Sequence, residues 1–323
     1  MLNSVISNLK KAHTECAKVA KISGKAALFH IADFLYSYVR YGCLPRQYSN
    51  GDFYRRRGFD RAKIVTYRKI CKLINNYNQA DCIPHLQNKI QFNKTFAAFV
   101  NRQWLDIQNV NVGGVKQLLT KHKSVIVKPL RGEEGHGIRK YTIPDDGAVD
   151  YEELLSEWKM ENVIVEEIVS PHPAMVFGNK SLNTIRTMTM LDAQGKAHLV
   201  KAILRAGIGE NIVDNYCSGG VIYAVDIETG IVITPGKSHI GNNVICHPGT
   251  DIVMLGYKIP CWEQVIKISE EAAESIPRCR FIGWDVAITD HGVELIEGNH
   301  NPDYELLEFI GNTCLWPKIR QYI

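Results

Sequence analysis

No apolar run in the 323 residues approaches the ~20 that a bilayer-spanning helix needs, so no transmembrane segment is expected. The opening MLNSVISNLK lacks the positive-then-apolar layout and the small-residue cleavage site of an export signal, and a cytoplasmic location is expected. Nine cysteines (Cys16, Cys43, Cys71, Cys82, Cys217, Cys246, Cys261, Cys279 and Cys314) are odd in number and widely spaced, with no CxxC among them. That pattern excludes a disulfide framework and a zinc site and predicts reduced, mostly buried thiols. The phosphate loop GxxxxGK[ST] is missing as well. Repeats and low-complexity segments are absent. A hydrophobic fraction of 45% and a charged fraction of 22% predict a folded globular chain of one large or two moderate domains.

Net charge is scarce, at +4, but it is unevenly spread. Residues 1–120 hold 19 basic and 6 acidic residues, and residues 121–323 hold 19 basic and 28 acidic. A basic front on an acidic back first suggests a nucleic-acid-binding arm.

Residues 1–40 have helical spacing at Val5, Leu9, Ala12, Cys16 and Val19. Gly24 divides this helix from a second one with Leu28, Ile31, Phe34 and Leu35 on its apolar face. Arg61–Leu73 is also helical in spacing, and a helix is expected around Lys94–Trp104. The texture changes after Lys121. Short strands are expected at Val125–Val127, Val163–Val165, Thr184–Met190, Ala197–Leu204 and Val221–Val225, with helices at Tyr151–Lys159 and Trp262–Ser275. Phe281–Ile288 and Val293–Glu297 form a hairpin around Asp290–Gly292. The C-terminal part should be mainly an antiparallel sheet.

The most informative stretch is FIGWDVAITDHGVELIEGN, Phe281–Asn299. Asp285 and Glu297 sit within otherwise apolar strands, where unpaired carboxylates are costly. Asn299, two residues past Glu297, projects to the same side. Two carboxylates and an amide oxygen make a hard-oxygen set that suits Mg²⁺ together with substrate phosphates. The plainer reading is a polar hairpin edge.

Lys128 ends the apolar strand VIVKP, just before RGEEGHG, Arg131–Gly137. A strand lysine followed by a glycine loop (Gly132, Gly135, Gly137) can deliver an ammonium and backbone N–H groups to phosphates, although a plain hairpin loop fits too. Lys94 alone reads as a surface lysine. The strand NVIVEEIV, Asn162–Val169, ends on Glu166 and Glu167 and could read an adenine along its edge. Arg205, in RAGIGENIVDNYCSGG, could offset charge during phosphoryl transfer. Arg186 in NTIR is either a clamp for a substrate anion or a strand arginine paired with a nearby acid. His239 and Asn242 are candidates for an acceptor side, and His30 and His85 read as structural or surface residues.

In this order the segments resemble the ATP-grasp superfamily. The pattern runs through a first lysine (Lys94), a strand lysine (Lys128), a glycine loop, a hinge strand ending EE, a strand arginine (Arg205) before an N…GG segment (Asn215, Gly219, Gly220), and D…E-x-N (Asp285, Glu297, Asn299). The likeness covers about 85–323. SLNTIRTMTM, DN…SGG and GWDVAIT…LIEGN, with the tyrosine-rich Gly42–Tyr54, further resemble the branch of sugar-transfer-associated ATP-grasp proteins found with surface-polysaccharide genes.

The resemblance implies an α+β fold in which two subdomains (about 121–165 and 166–323) clasp ATP, preceded by a helical basic region, 1–84. It implies carboxylate–amine ligation through an acylphosphate, with small-molecule, sugar-linked substrates. Lys94 and Lys128 would bind phosphates under the loop Gly132–Gly137. Glu166 would accept from the adenine amino group, with the Glu167 and Val169 backbone lining the base. Arg205 would stabilise the transferring phosphoryl group. Asp285, Glu297 and Asn299 would hold two Mg²⁺, with Mn²⁺ a substitute. Two departures stand out: no acid follows the hinge in SPHPAM, leaving the ribose contact unassigned, and His300, Pro302 and Asp303 follow the Asn. A sugar kinase and a non-catalytic nucleotide-binding protein are the competing readings. The basic front is then better matched to an anionic substrate, an intramolecular contact or a membrane surface than to nucleic acid, and the oligomeric state is left open.

Overall fold

A computed structural model describes residues 2–132, 136–209, 219–238, 243–303, 308, 310–311 and 314–323, with side chains from Lys10 onward. The chain opens with helices α1 (Leu2–Ser23), α2 (Ala27–Tyr41), α3 (Pro45–Asn50), α4 (Phe59–Ala62), α5 (Tyr67–Tyr77), α6 (Ile83–Gln87) and α7 (Lys89–Thr95). Gly42, at φ 74°, ends α2 in the left-handed conformation. Asn88 caps α7 by accepting from the backbone N–H of Ile90 and Gln91. The first four helices enclose a small core of Cys16, Val19, Phe34, Tyr48, Phe53 and Ile64.

A four-stranded antiparallel sheet follows, built from β1 (Trp104–Asp106), β2 (Ser124–Pro129), β3 (Arg139–Thr142) and β4 (Val163–Glu167) in the order β1-β4-β2-β3. Helices α8 (Val112–His122) and α9 (Tyr151–Glu161) cover it, and Leu119 and Trp158 pack on Val125, Val127 and Val165. Full burial of side chains this size contributes about 1.5–3 kcal/mol each.

The larger sheet has seven antiparallel strands in the order β11-β10-β5-β6-β7-β8-β9. They are β5 (Thr184–Leu191), β6 (Ala197–Ala206), β7 (Val221–Val225), β8 (Gly236–Ser238), β9 (Asn243–Val244), β10 (Phe281–Thr289) and β11 (Gly292–Asn299), with α10 (Trp262–Glu274) between β9 and β10. One face packs Leu204, Tyr223, Ile282 and Trp284 under α10. The other packs Met188, Ile203 and Phe281 against Val65, Ile70 and Leu73 at and before α5. The α+β architecture and the antiparallel C-terminal sheet are as expected.

Several local expectations are corrected. α7 stops at Thr95, and Trp104 opens a strand rather than closing a helix. The helix expected through Arg61–Leu73 is broken between Ala62 and Tyr67, because Ile64 and Val65 are buried and the Val65 N–H is held by Glu308. α2 buries His30, Phe34 and Ser37 and leaves Leu28 and Leu35 in solvent. The polar partners of its inner face, Tyr48 and Arg61, exist only in the folded unit. The eight described cysteines are free, but Cys71, Cys261 and Cys314 are half-buried and Cys246 is exposed; Cys217 lies outside the described residues. Among the described residues no helix is long and apolar enough to cross a membrane.

Candidate functional site

The register of the large sheet decides which charged side chains meet. Asp285 on β10 stands opposite Glu297 on β11 and opposite Arg186 on β5. Directly opposed residues share a face of an antiparallel sheet. Arg205, on β6, reaches the same place from beside Thr184. Asp285 is therefore bracketed by two guanidiniums. Arg186 Nη2 donates to Oδ2 at 2.9 Å, its Nε pairs with Oδ1, and Arg205 Nη1 donates to Oδ2 at 2.7 Å. All three side chains are at least 90% buried. Burial alone would push the Asp285 carboxyl up, but the two arginines hold it well below the usual carboxylate range.

Glu297 is the open member of the group, with 43% of its side chain exposed and Arg186 Nη2 3.7 Å away. Asn299 donates to it at 3.3 Å, so Glu297 and Asn299 do share a face. Desolvation of its inner side, then the charge of Asp285, push the Glu297 carboxyl above its ordinary value. Two carboxylates held together this way favour a cation between them. Both Asp285 oxygens are already engaged, so Glu297 and Asn299 carry the oxygens open to a hard cation, and the donor set fits Mg²⁺ completed by phosphate oxygens. Among the described residues no group of three His, Cys, Asp or Glu is gathered, and this cluster has two carboxylates and an amide.

A second buried charge cluster joins the two sheets. Glu166 on β4 is 2% exposed and pairs with the Lys128 ammonium from β2 and with Arg102 Nε at 3.1 Å. Asn93 of α7 also donates to it, at 2.9 Å. Burial opposes ionisation, but Arg102 and Lys128 keep Glu166 strongly acidic. Arg102 reaches on to Glu294 of β11 at 3.1 Å and to the carbonyl of Leu295 at 2.7 Å. It thereby ties β4 of the small sheet to the strand carrying Glu297. Gly298, between Glu297 and Asn299, lies so close to α6 and α7 that an added Cβ would stand 2.7 Å from Leu86 Cδ2 and 3.1 Å from Phe92.

Two expected site residues are placed differently. Lys94 is 60% exposed and pairs with Asp106 at 3.3 Å, outside this cluster. Lys89, at the first turn of α7, is the lysine of this helix that lies near the cluster. Burial lowers its ammonium, while Glu297 and Glu166 support its charge and Lys128 opposes it. The five-residue step from Lys89 to Lys94 turns the side chain more than a right angle around the helix. Glu166 is not available to an adenine amino group through its carboxylate, because Arg102, Lys128 and Asn93 engage it. Glu167 accepts from the Gln103 N–H at 2.9 Å, and Val169 is half-buried in the segment that leads to β10 through the Pro171–Thr289 bridge.

Gly137, at φ 75°, lies where an added Cβ would be 2.8 Å from Pro129 Cγ, so the chain at Gly137 packs against the end of the strand that carries Lys128. Gly132 has φ 154°. Gly135, Asp214, Asn215, His239 and Asn242 lie outside the described residues. Of the two roles open to Arg186, the structure shows the pair with an acid. Lys89, Asn93 and Arg102 carry no motif in the sequence; the one local hint is Asn88, the helix cap directly before Lys89.

A family model described as sugar-transfer associated ATP-grasp matches residues 68–322. The match begins before residue 85 and does not include the tyrosine-rich 42–54 segment. No curated protein sequence matches. Among solved structures, the ATP-grasp ligase PsnB complexed with minimal precursor is similar at 14% identity and TM-score 0.46, over 76% of this chain and 63% of that one. D-alanyl-alanine synthetase A from Vibrio cholerae O1 biovar eltor is similar at 15% identity and TM-score 0.38, over 73% of this chain and 60% of that one. The ADP complex of purK, N5-carboxyaminoimidazole ribonucleotide synthetase, is similar at 12% identity and TM-score 0.44, over 74% and 52%. The chain thus spans between 52% and 63% of the length of these three proteins. The family match covers most of the chain, which belongs to the sugar-transfer associated ATP-grasp family.

Proposed function

We propose that this member of the sugar-transfer associated ATP-grasp family is an ATP-dependent carboxylate–amine ligase that works through an acylphosphate. The observation that carries the reading is the convergence of Arg186, Arg205, Asp285, Glu297 and Asn299 on one face of the large sheet. A carboxylate is a poor electrophile until its oxygen displaces ADP from the γ-phosphorus. An amine then attacks the carbonyl of the mixed anhydride, loses a proton and expels phosphate. The substrates inferred are an amine and a sugar-linked or amino-acid carboxylate.

The protein's part is positioning and charge. Arg205, oriented by Asp285, faces the transferred group with its guanidinium already fixed, so no reorganisation is needed as charge develops. Lys89 and Lys128 bind the phosphates. Lys128 can leave Glu166 for a phosphate without stranding a bare buried carboxylate, because Arg102 stays on Glu166. Glu297 and Asn299, with Asp285 behind them, would hold Mg²⁺, which supplies charge neutralisation to the phosphoryl oxygens. The glycine loop that follows Lys128 in the sequence would keep water from the acylphosphate.

The test is ADP release from the full chain with paired carboxylates and amines, followed by mass analysis. Ligation requires both partners and yields their condensed product. A stable phosphorylated product that forms without any amine would replace this reading by a phosphotransferase.

A further inference from the structure

The N-terminal helices present a surface that their own packing does not use. α2 has two charged residues, Asp33 and Arg40, and Asp33 is engaged by Arg61. Its outward arc is apolar: Leu28 is 78% exposed, Leu35 48%, Tyr36 56% and Val39 71%, with exposed Ala32 between them. These positions recur at steps of three and four, so they form one line about 16 Å long on the helix surface. A surface helix ordinarily turns its apolar stripe inward and its charges out. Here the buried face is His30, Phe34 and Ser37, and the aliphatic stripe is outside. The stripe is extended by Phe59, 79% exposed, on the turn that Tyr41 Oη ties to the end of α2 through the Gly58 carbonyl at 3.3 Å.

Exposed cations frame this face. Lys21, in the last turn of α1, and Lys25, just before α2, precede its first turn, and Arg40 lies at its end. Arg68 donates to the carbonyls of Val39 and Tyr38 at 2.8 and 2.9 Å, which fixes a guanidinium beside the last turn. Residues 1–84 hold 15 basic and 5 acidic residues, and none of the five acids lies on the outward arc.

We propose that this face docks on a membrane surface rich in anionic lipid, with α2 lying in the plane of the interface. Aliphatic side chains enter the boundary of the acyl chains, Tyr36 and Tyr38 place apolar rings with polar tips at headgroup level, and the framing cations meet lipid phosphates. No described helix can cross a bilayer, so the contact is superficial. A second copy is the poorer occupant, because a two-fold contact through this face would set the same cations against one another. The inference does not depend on the ligase reading.

Co-sedimentation of the full chain with vesicles tests it. The protein is expected to bind vesicles of phosphatidylcholine with phosphatidylglycerol, to bind pure phosphatidylcholine far less, and to be released by salt. Leu35→Glu with Val39→Glu should lower the bound fraction roughly tenfold without changing the far-UV spectrum or the melting temperature, since both positions are exposed. Lys25→Ala with Arg40→Ala should weaken binding and flatten its salt dependence. Absence of binding to the anionic vesicles, equal binding to neutral ones, or full binding by the double glutamate variant overturns the proposal. So does a dimer in sedimentation velocity that the glutamate variant dissociates, since the face would then be covered by a second copy.

Discussion

Two buried arginine–aspartate clusters in this chain use the same groups for different ends. In the N-terminal helices, Arg61 meets Asp33 in a bidentate pair of 2.8 and 2.7 Å. Tyr48 donates to the same carboxylate at 2.7 Å and so accepts from His30 Nδ1 at 3.0 Å. The remaining Arg61 donors reach the Arg56 carbonyl and Ser37. One anion is matched to one cation and the network is closed. On the large sheet, Asp285 takes two arginines and still faces a second carboxylate, Glu297, which is partly open to solvent and held less acidic than an ordinary glutamate by burial of its inner side and the charge of Asp285. The closed cluster holds helices together. The open one balances two guanidiniums against two carboxylates but leaves Glu297 exposed to solvent with its carboxyl raised, and perturbed ionisable groups of that kind gather at functional sites.

The largest effect should fall on the open cluster. Glu297→Gln and Arg205→Met are each expected to lower ADP release about 10²–10³-fold. Because Glu297 is raised in the fold, its ionised form at neutral pH opposes folding, so Glu297→Gln should melt at the same or a higher temperature than the parent. A melting temperature well below the parent would make the open cluster a structural one like its counterpart. Asp33→Ala is expected to do the reverse. It should cost about 3 kcal/mol in urea unfolding, since it leaves Arg61 buried without its acid, while ADP release per folded molecule is unchanged.

A smaller contrast separates the two lysines of α7. Lys89→Ala should reduce turnover or raise the KM for ATP about tenfold, and Lys94→Ala should change either by less than about twofold. Equal effects would return Lys94 to the phosphate site. The smallest effect is on pH dependence. Arg61 and Tyr48 lower Asp33 against the pull of burial, so its contribution is present above the ordinary aspartate range. It is lost as pH falls through the lowered value. The stability gap between the parent and Asp33→Asn should therefore narrow on acidification and stay constant near neutrality.

Strands of the large sheet were legible because short, mostly apolar runs bounded by turn glycines record their own burial. Thr184–Leu191, Val221–Val225 and the Phe281–Asn299 hairpin fall close to where pattern alone places them. Asp285, Glu297 and Asn299 were legible as a group because one hairpin carries all three, and local spacing determines which side each faces. Lys89 and Arg102 were not. Arg102 lies in an unpatterned stretch and acquires meaning only through Glu166 and Glu294, residues 64 and 192 positions away. The outward stripe of α2 was misread for the same reason. Periodicity shows that a helix has an apolar face but not which face its neighbours cover, and here Tyr48 and Arg61 hold the polar side inward.

The sequence by itself determined the α+β class, the charge asymmetry, the antiparallel C-terminal sheet and the order of the ATP-grasp segments. Those properties depend on residue type at short range. The tertiary structure decided that Lys89 stands near Glu166 and Glu297 while Lys94 pairs with Asp106, that the Glu166 carboxylate joins a buried charge cluster, and that Asp285 is held by two arginines. Each depends on pairing across distant strands, where a register and a crossing point, absent from any local pattern, bring the partners within hydrogen-bonding reach.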